Sequence, residues 1–175
     1  MSLRSLALVS LALGIAGPIY AQPTSAALNK AQAVPTMALR TRVRELLAKS
    51  PLLDPTMSVV REAQFVRDAQ AALAGTPWAF KAESALDATR ALEAILADEI
   101  VTAKIVSVPS GIVVSYRRLV DPNAPALNVT SDDSLRLEPA TYQFWATPPS
   151  GGANQVQRVP CLSGCNVKFV FGKTK

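Results

Sequence analysis

An α+β fold, with about three N-terminal antiparallel helices followed by a small antiparallel β-sandwich of about seven short strands, is what this sequence predicts. Three observations carry that expectation. Up to about residue 101 the apolar side chains recur at three- and four-residue spacing, the rhythm of a helix face. Beyond it they alternate with polar ones, as in strands with one buried side. The C-terminal end also holds Cys161-Leu-Ser-Gly-Cys165, two cysteines flanking a short turn that contains Gly.

The chain begins with Arg4 ahead of an apolar run, Leu6 to Ala21, that closes on Tyr20-Ala21-Gln22. A basic residue, an apolar stretch and a small residue before the cut describe a secretory signal peptide over residues 1–21. The run is shorter than the roughly 20 apolar residues a spanning helix needs, and Gly14, Gly17 and Pro18 weaken it as an anchor. The expected location is periplasmic or secreted, with membrane contact only through this segment if it stays uncleaved. Residues 22–35 are small and polar, with Pro23 and Pro35 near their ends, and read as a flexible tether.

Residues 36–101 form the expected helical subdomain. Thr36 can cap a first helix to about Lys49, with Leu39, Val43, Leu46 and Leu47 on one stripe and Ser50-Pro51 closing it. Arg40, Arg42 and Arg44 fall elsewhere on the wheel and read as a solvated face. Asp54-Pro55 offers a cap followed by Pro at the first helical position. The second helix then carries Val59, Ala63, Val66, Gln70 and Leu73, with Phe65, Ala69 and Ala72 widening the stripe, and Gly75 ends it. Thr76-Pro77 repeats the device and opens a third helix over roughly 77–99.

Residues 102–175 form the expected sandwich. Lys104 to Val108 and Gly111 to Arg118 read as strands joined by a turn at Pro109-Ser110-Gly111. In the second strand Val114 and Tyr116 face one way while Ser115 and Arg117 face the other. A loop at 121–125, a short strand at 127–130 and a turn at 131–134 follow. Leu135 to Leu137 and Thr141 to Thr147 flank a turn centred on Pro139. A loop at 148–152 precedes a last hairpin, Gln155 to Cys161 with Cys165 to Phe171.

The order Val106-Ser107-x-Pro109-x-Gly111-x-x-Val114, and later Leu135-x-Leu137-x-Pro139-x-x-Tyr142-x-Phe144, resembles PEGA-type domains and the similar carboxypeptidase regulatory-like modules. These are transthyretin-like β-sandwiches, and the resemblance covers about 103–171. It implies a non-enzymatic spacer or interaction surface in an envelope protein. Such domains usually place Gly where this chain has Ala140, so the turn after Pro139 must avoid positive φ or bear strain.

Composition narrows the chemistry. A hydrophobic content of 49% is ample for a core, and there is no histidine, the commonest general base and zinc ligand. No spacing supports a catalytic, cofactor-binding or metal site. The formal charge of +5 is mild and scattered, and no aromatic residues interleave with the arginines, so nucleic acid is not an expected partner. Cys161 and Cys165 flank a three-residue turn, which sets facing strand residues within disulfide range; the spacing is not that of a Cys-x-x-Cys redox pair.

The candidate binding surface is Trp145, Gln143, Tyr116, Arg117 and Arg118. Trp145 lies on the Gln143 side of its strand, where it either packs against the helical part, the favoured reading, or stands exposed to stack on a sugar or partner. Tyr116-Arg117-Arg118 at a strand end is a binding edge or one guarded by charge. The expected function is an exported, non-enzymatic binding or assembly module with a protein partner in the cell envelope. A glycan- or small-ligand-binding module using Trp145 is the alternative, and an envelope hydrolase the third reading.

Overall fold

The computed structural model describes residues 33–172. The signal-peptide expectation, and residues 22–32 of the tether, lie outside them. The fold is α+β: three α-helices and then seven strands in two sheets, among the described residues. The helices are α1 (Met37–Leu47), α2 (Val59–Leu73) and α3 (Ala85–Ala94), with a 3-10 turn at Pro51–Leu53 between the first two. The strands are β1 (Val101–Val108), β2 (Val113–Arg118), β3 (Leu127–Thr130), β4 (Ser134–Leu137), β5 (Ala140–Ala146), β6 (Gln155–Cys161) and β7 (Cys165–Val170).

Helix α1 starts as its sequence dictates, with the Thr36 hydroxyl accepting from Leu39 N at 3.2 Å. The other two starts are corrections. The Asp54 carboxylate accepts from the amide and hydroxyl of Thr56, at 2.9 and 2.7 Å, and so forms a local turn. With that cap spent, α2 begins only at Val59, and Val59 stands exposed instead of facing the core. Thr76-Pro77 likewise makes a turn, closed by Ala79 N to Thr76 O. From there the chain runs as a strap in which Trp78, Phe80 and Ala82 alternate onto the helical core, and Gln70 Nε2 pins it by donating to Ala82 O at 3.0 Å. Helix α3 starts at Ala85, where Ser84 Oγ accepts from Asp87 N and donates to its carboxylate.

The three helices enclose one core of Val43, Leu46, Leu47, Phe65, Ala69, Leu73, Ala88, Leu92, Ile95 and Leu96. The arginines of α1 are not a solvated face. Arg40 is only 7% exposed and grips Asp98 with both terminal nitrogens at 2.8 Å, while its Nη1 also reaches Glu99 at 2.6 Å. Arg44 pairs with the other oxygen of Glu99, and only Arg42 of the three remains at the surface. Glu99 thus ties α1 to the segment that leads into β1.

The sheets are ordered β4-β1-β7 and β3-β2-β5-β6, antiparallel except for the β1–β7 pair. Their inner faces interdigitate around Ile105, Val114, Phe144, Val167 and Phe169. The strands lie close to the expected positions, but the expected turns do not close hairpins. The short connections at 109–112, 131–133, 138–139 and 162–164 all carry the chain from one sheet to the other. The two long loops, 119–126 and 147–154, are the ones that join paired neighbours. Packed sheets lie about 10 Å apart and an extended residue spans about 3.3 Å, so a few residues suffice for each crossing.

One expectation is corrected by this topology: the terminal hairpin of 155–161 with 165–171 is a seam between the sheets. The strands joined by the turn at 109–111, and those flanking Pro139, likewise belong to different sheets. Across that seam Gln155 and Gln157 donate from Nε2 to Val170 O and Lys168 O, at 2.9 and 2.6 Å. The turn after Pro139 avoids positive φ, and Ala140 enters β5 fully buried.

Candidate functional site

The Cys161–Cys165 bridge is present, with Cα atoms 5.0 Å apart, and it closes the corner from β6 to β7. Gly164 takes a positive φ, +115°, in a spot where a Cβ would come within 3.3 Å of Thr102 O. The loop has a second task that its sequence did not announce. Leu162 leaves the sandwich and joins the helical core, while its carbonyl accepts from Arg44 Nε at 3.1 Å.

A stronger brace between the two halves is Glu93 of α3, fully buried. One of its oxygens accepts from the amide and hydroxyl of Thr141 at the start of β5, both at 2.7 Å. The other accepts from Arg118 Nη2, at the end of β2, at 2.8 Å. Arg118 Nη1 then reaches Glu138 at 3.0 Å. Burial pulls the Arg118 guanidinium down most, but the hydrogen bond and charge of Glu93 outweigh it and leave the group raised. Arg118, expected on a binding edge, is therefore a structural anchor.

Tyr116 is also withdrawn from the outer surface. It is only 9% exposed, on the inner face of its sheet, with its ring stacked on Phe144 at a centroid distance of 5.8 Å. Beside it the Tyr142 hydroxyl donates to Glu138 O at 3.0 Å, and burial pushes this phenol up to about 12. Both tyrosines border a cleft of about 410 Å³ between the 119–126 loop and β4.

Arg117, Gln143 and Trp145 point the other way, onto the outer face of the four-stranded sheet. Register sets Arg117 opposite Gln143, and Gln143 opposite Arg158 of β6, in one row across three strands. The next row is Ser115, Trp145 and Val156. The Arg117 guanidinium carbon lies 5.5 Å from the Trp145 ring centroid, within cation–π range. Trp145 belongs to neither apolar core, so its expected packing against the helices is corrected; Trp78 is the tryptophan that packs there.

The helices cover this face only in part. Glu93 seals the Thr141 row, and Arg158 Nη1 donates to Leu52 O at 2.9 Å at the border. There a cleft of about 210 Å³ opens between Leu52, Pro122, Gln143 and the arginines 117, 118 and 158. Among the described residues Arg117 and Arg158 have no carboxylate partner within ion-pair distance; each donates to a backbone carbonyl, of Pro122 and Leu52 respectively. Arg158 escaped the sequence reading because the order Gln-Val-Gln-Arg-Val-Pro in β6 does not alternate cleanly. Only the pairing with β5 reveals its neighbours.

No family model, curated protein or solved structure matches this chain.

Proposed function

We propose that this chain is an exported, non-enzymatic binding module, and that it docks its envelope partner on the uncovered outer face of the four-stranded sheet. The observation that carries the reading is the row of Arg117, Gln143 and Arg158, set beside Trp145 and half-buried at the border of the helical part. Two guanidiniums without an ion-paired carboxylate, one of them over an aromatic ring, each keep donors beyond their single backbone carbonyl for water or a ligand. The helical part supports this role by holding the sandwich through Glu93 and Leu162, far enough down β5 to spare Trp145. The PEGA-type resemblance of residues 103–171 favours the same class, a surface for interaction.

Retention of the purified protein on its own envelope fraction tests the proposal. Trp145→Ala and Arg117→Ala should each reduce retention at least fivefold, while Lys104→Gln on the opposite sheet should leave it unchanged. Equal retention of all variants would place the docking surface elsewhere. Turnover of envelope polymer, abolished by replacing one serine or carboxylate, would return the protein to the enzymes.

A further inference from the structure

We propose that the ligand of this face is an acidic saccharide, whose negative group is held between Arg117 and Arg158 above Gln143 while its ring lies on the Trp145 row. The inference rests on the docking surface proposed above and specifies what binds there.

Charge selects the sign of the ligand. Across residues 102–172 the chain holds six Lys and Arg against four Asp and Glu, whereas residues 33–101 hold eight against nine. The described sandwich is therefore the positive part, and on this face Arg117 and Arg158 stand in one row. Neighbouring strands lie about 4.8 Å apart, so arginines two strands apart stand about 10 Å from each other at the backbone. Their long side chains can then converge on one anionic group from both sides, with the Gln143 amide beneath it. Among the described residues no hydrogen bond occupies that amide.

Topology selects a saccharide over an acidic peptide. An extended peptide gains most of its affinity by adding to a sheet edge, where free backbone groups wait. Here the ring surface lies mid-face, the backbones of β2 and β5 are already paired on both sides, and the edge strand β6 that carries Arg158 is bordered by β7, to whose carbonyls Gln155 and Gln157 donate. Recognition must come from side chains alone. What they supply is a charged pair, an aromatic surface and the polar groups of Gln143, Ser115 and Asn128, the last two hydrogen-bonded at 2.8 Å beside Trp145. A sugar ring, with one apolar side and a rim of hydroxyls, matches that set.

Tetragalacturonate, titrated into the purified protein and followed by tryptophan fluorescence, is the test. The Trp78→Phe background leaves Trp145 as the reporter, since the chain has two tryptophans. A saturable signal is expected, weakened at least tenfold by Arg117→Gln or Arg158→Gln and unaffected by Lys104→Gln. The methyl-esterified, uncharged tetramer should bind at least tenfold more weakly than the acid. Circular dichroism of each variant establishes that the fold is intact, and Gln143→Ala, which removes no charge, provides a second loss-of-binding variant. Equal affinity for the neutral tetramer would overturn the charge requirement, and an equal loss with Lys104→Gln would reduce the effect to bulk attraction. Tighter binding of hepta-glutamate than of tetragalacturonate would transfer the site to peptides. If envelope retention still depends on Trp145 and Arg117 while tetragalacturonate fails to bind, the saccharide is wrong and the docking surface stands; if both fail, so does the docking surface.

Discussion

Arg117 and Arg118 are neighbours in the chain and have opposite surroundings. Arg118 ends its strand and reaches the buried Glu93 carboxylate of α3, which with Glu138 neutralises it. Strand alternation turns Arg117 onto the open face, where it meets a backbone carbonyl and the Trp145 ring but no carboxylate. The contrast separates two uses of the same residue type. In the brace every oxygen of Glu93 has a donor, so charge fixes one arrangement of helix on sheet. On the open face the positive groups are held in register and left for something outside the molecule.

Removing Glu93 should break the comparison from the buried side with the largest effect. Glu93→Ala leaves Arg118 and the Thr141 amide without their acceptor, and loss of one partner from a buried pair costs about 3–5 kcal/mol. Urea denaturation should show a loss of that order. The same measurement on Arg117→Gln should give a change within about 0.5 kcal/mol, as for most surface substitutions. Equal losses at the two positions would erase the distinction.

Next in size is Leu162→Ala, which empties a site in the helical core from a residue that belongs to the sandwich loop. A cost of about 3 kcal/mol is expected, within the range for buried Leu to Ala changes. Hydrogen exchange should speed up in α1 and α3 as well as in β6, because one side chain serves both halves. The double change Cys161→Ser with Cys165→Ser should cost about 2 kcal/mol, the chain-entropy value for so short a ring. Its melting temperature should fall less than that of Leu162→Ala.

Tyr142 gives a smaller effect than these losses, with one component that appears only at high pH. Its phenol is pushed from 10.0 to about 12, mainly by burial, so the folded protein holds the proton more tightly than the unfolded chain. That contribution is complete below pH 10 and is lost as pH rises through about 12. Melting temperature should therefore fall more steeply across that window in the wild type than in Tyr142→Phe. Below it the variant should be weaker by about 1 kcal/mol, having lost its hydrogen bond to Glu138 O.

How far the site could be read beforehand follows from the same geometry. Alternation separated Arg117 from Tyr116 within one strand and put Trp145 beside Gln143 within another, but only the β2–β5 register brings Arg117, Gln143 and Trp145 onto one face. Arg118 could not be sorted that way, because what decides its role is a glutamate 25 residues earlier on a helix. Glu93 itself carries no mark in the sequence, for a charged residue inside a helical pattern reads as solvated until a partner strand arrives. Arg40 and Arg44 were misread for the same reason, their partners Asp98 and Glu99 lying more than 50 positions away.

The features legible in the residues are therefore local: the helix rhythm before residue 101, the strand rhythm after it, the cap at Thr36, and a disulfide across three residues. These follow from torsional preference and from which side of an element must leave water, both legible within a few residues. Tertiary structure alone decided which strands pair, that the short turns cross between sheets, and which charges are neutralised. Pairing depends on the total apolar area and hydrogen bonding of two complete sheets, and side-chain period is the same whether a strand's neighbour is the next one in the chain or the last.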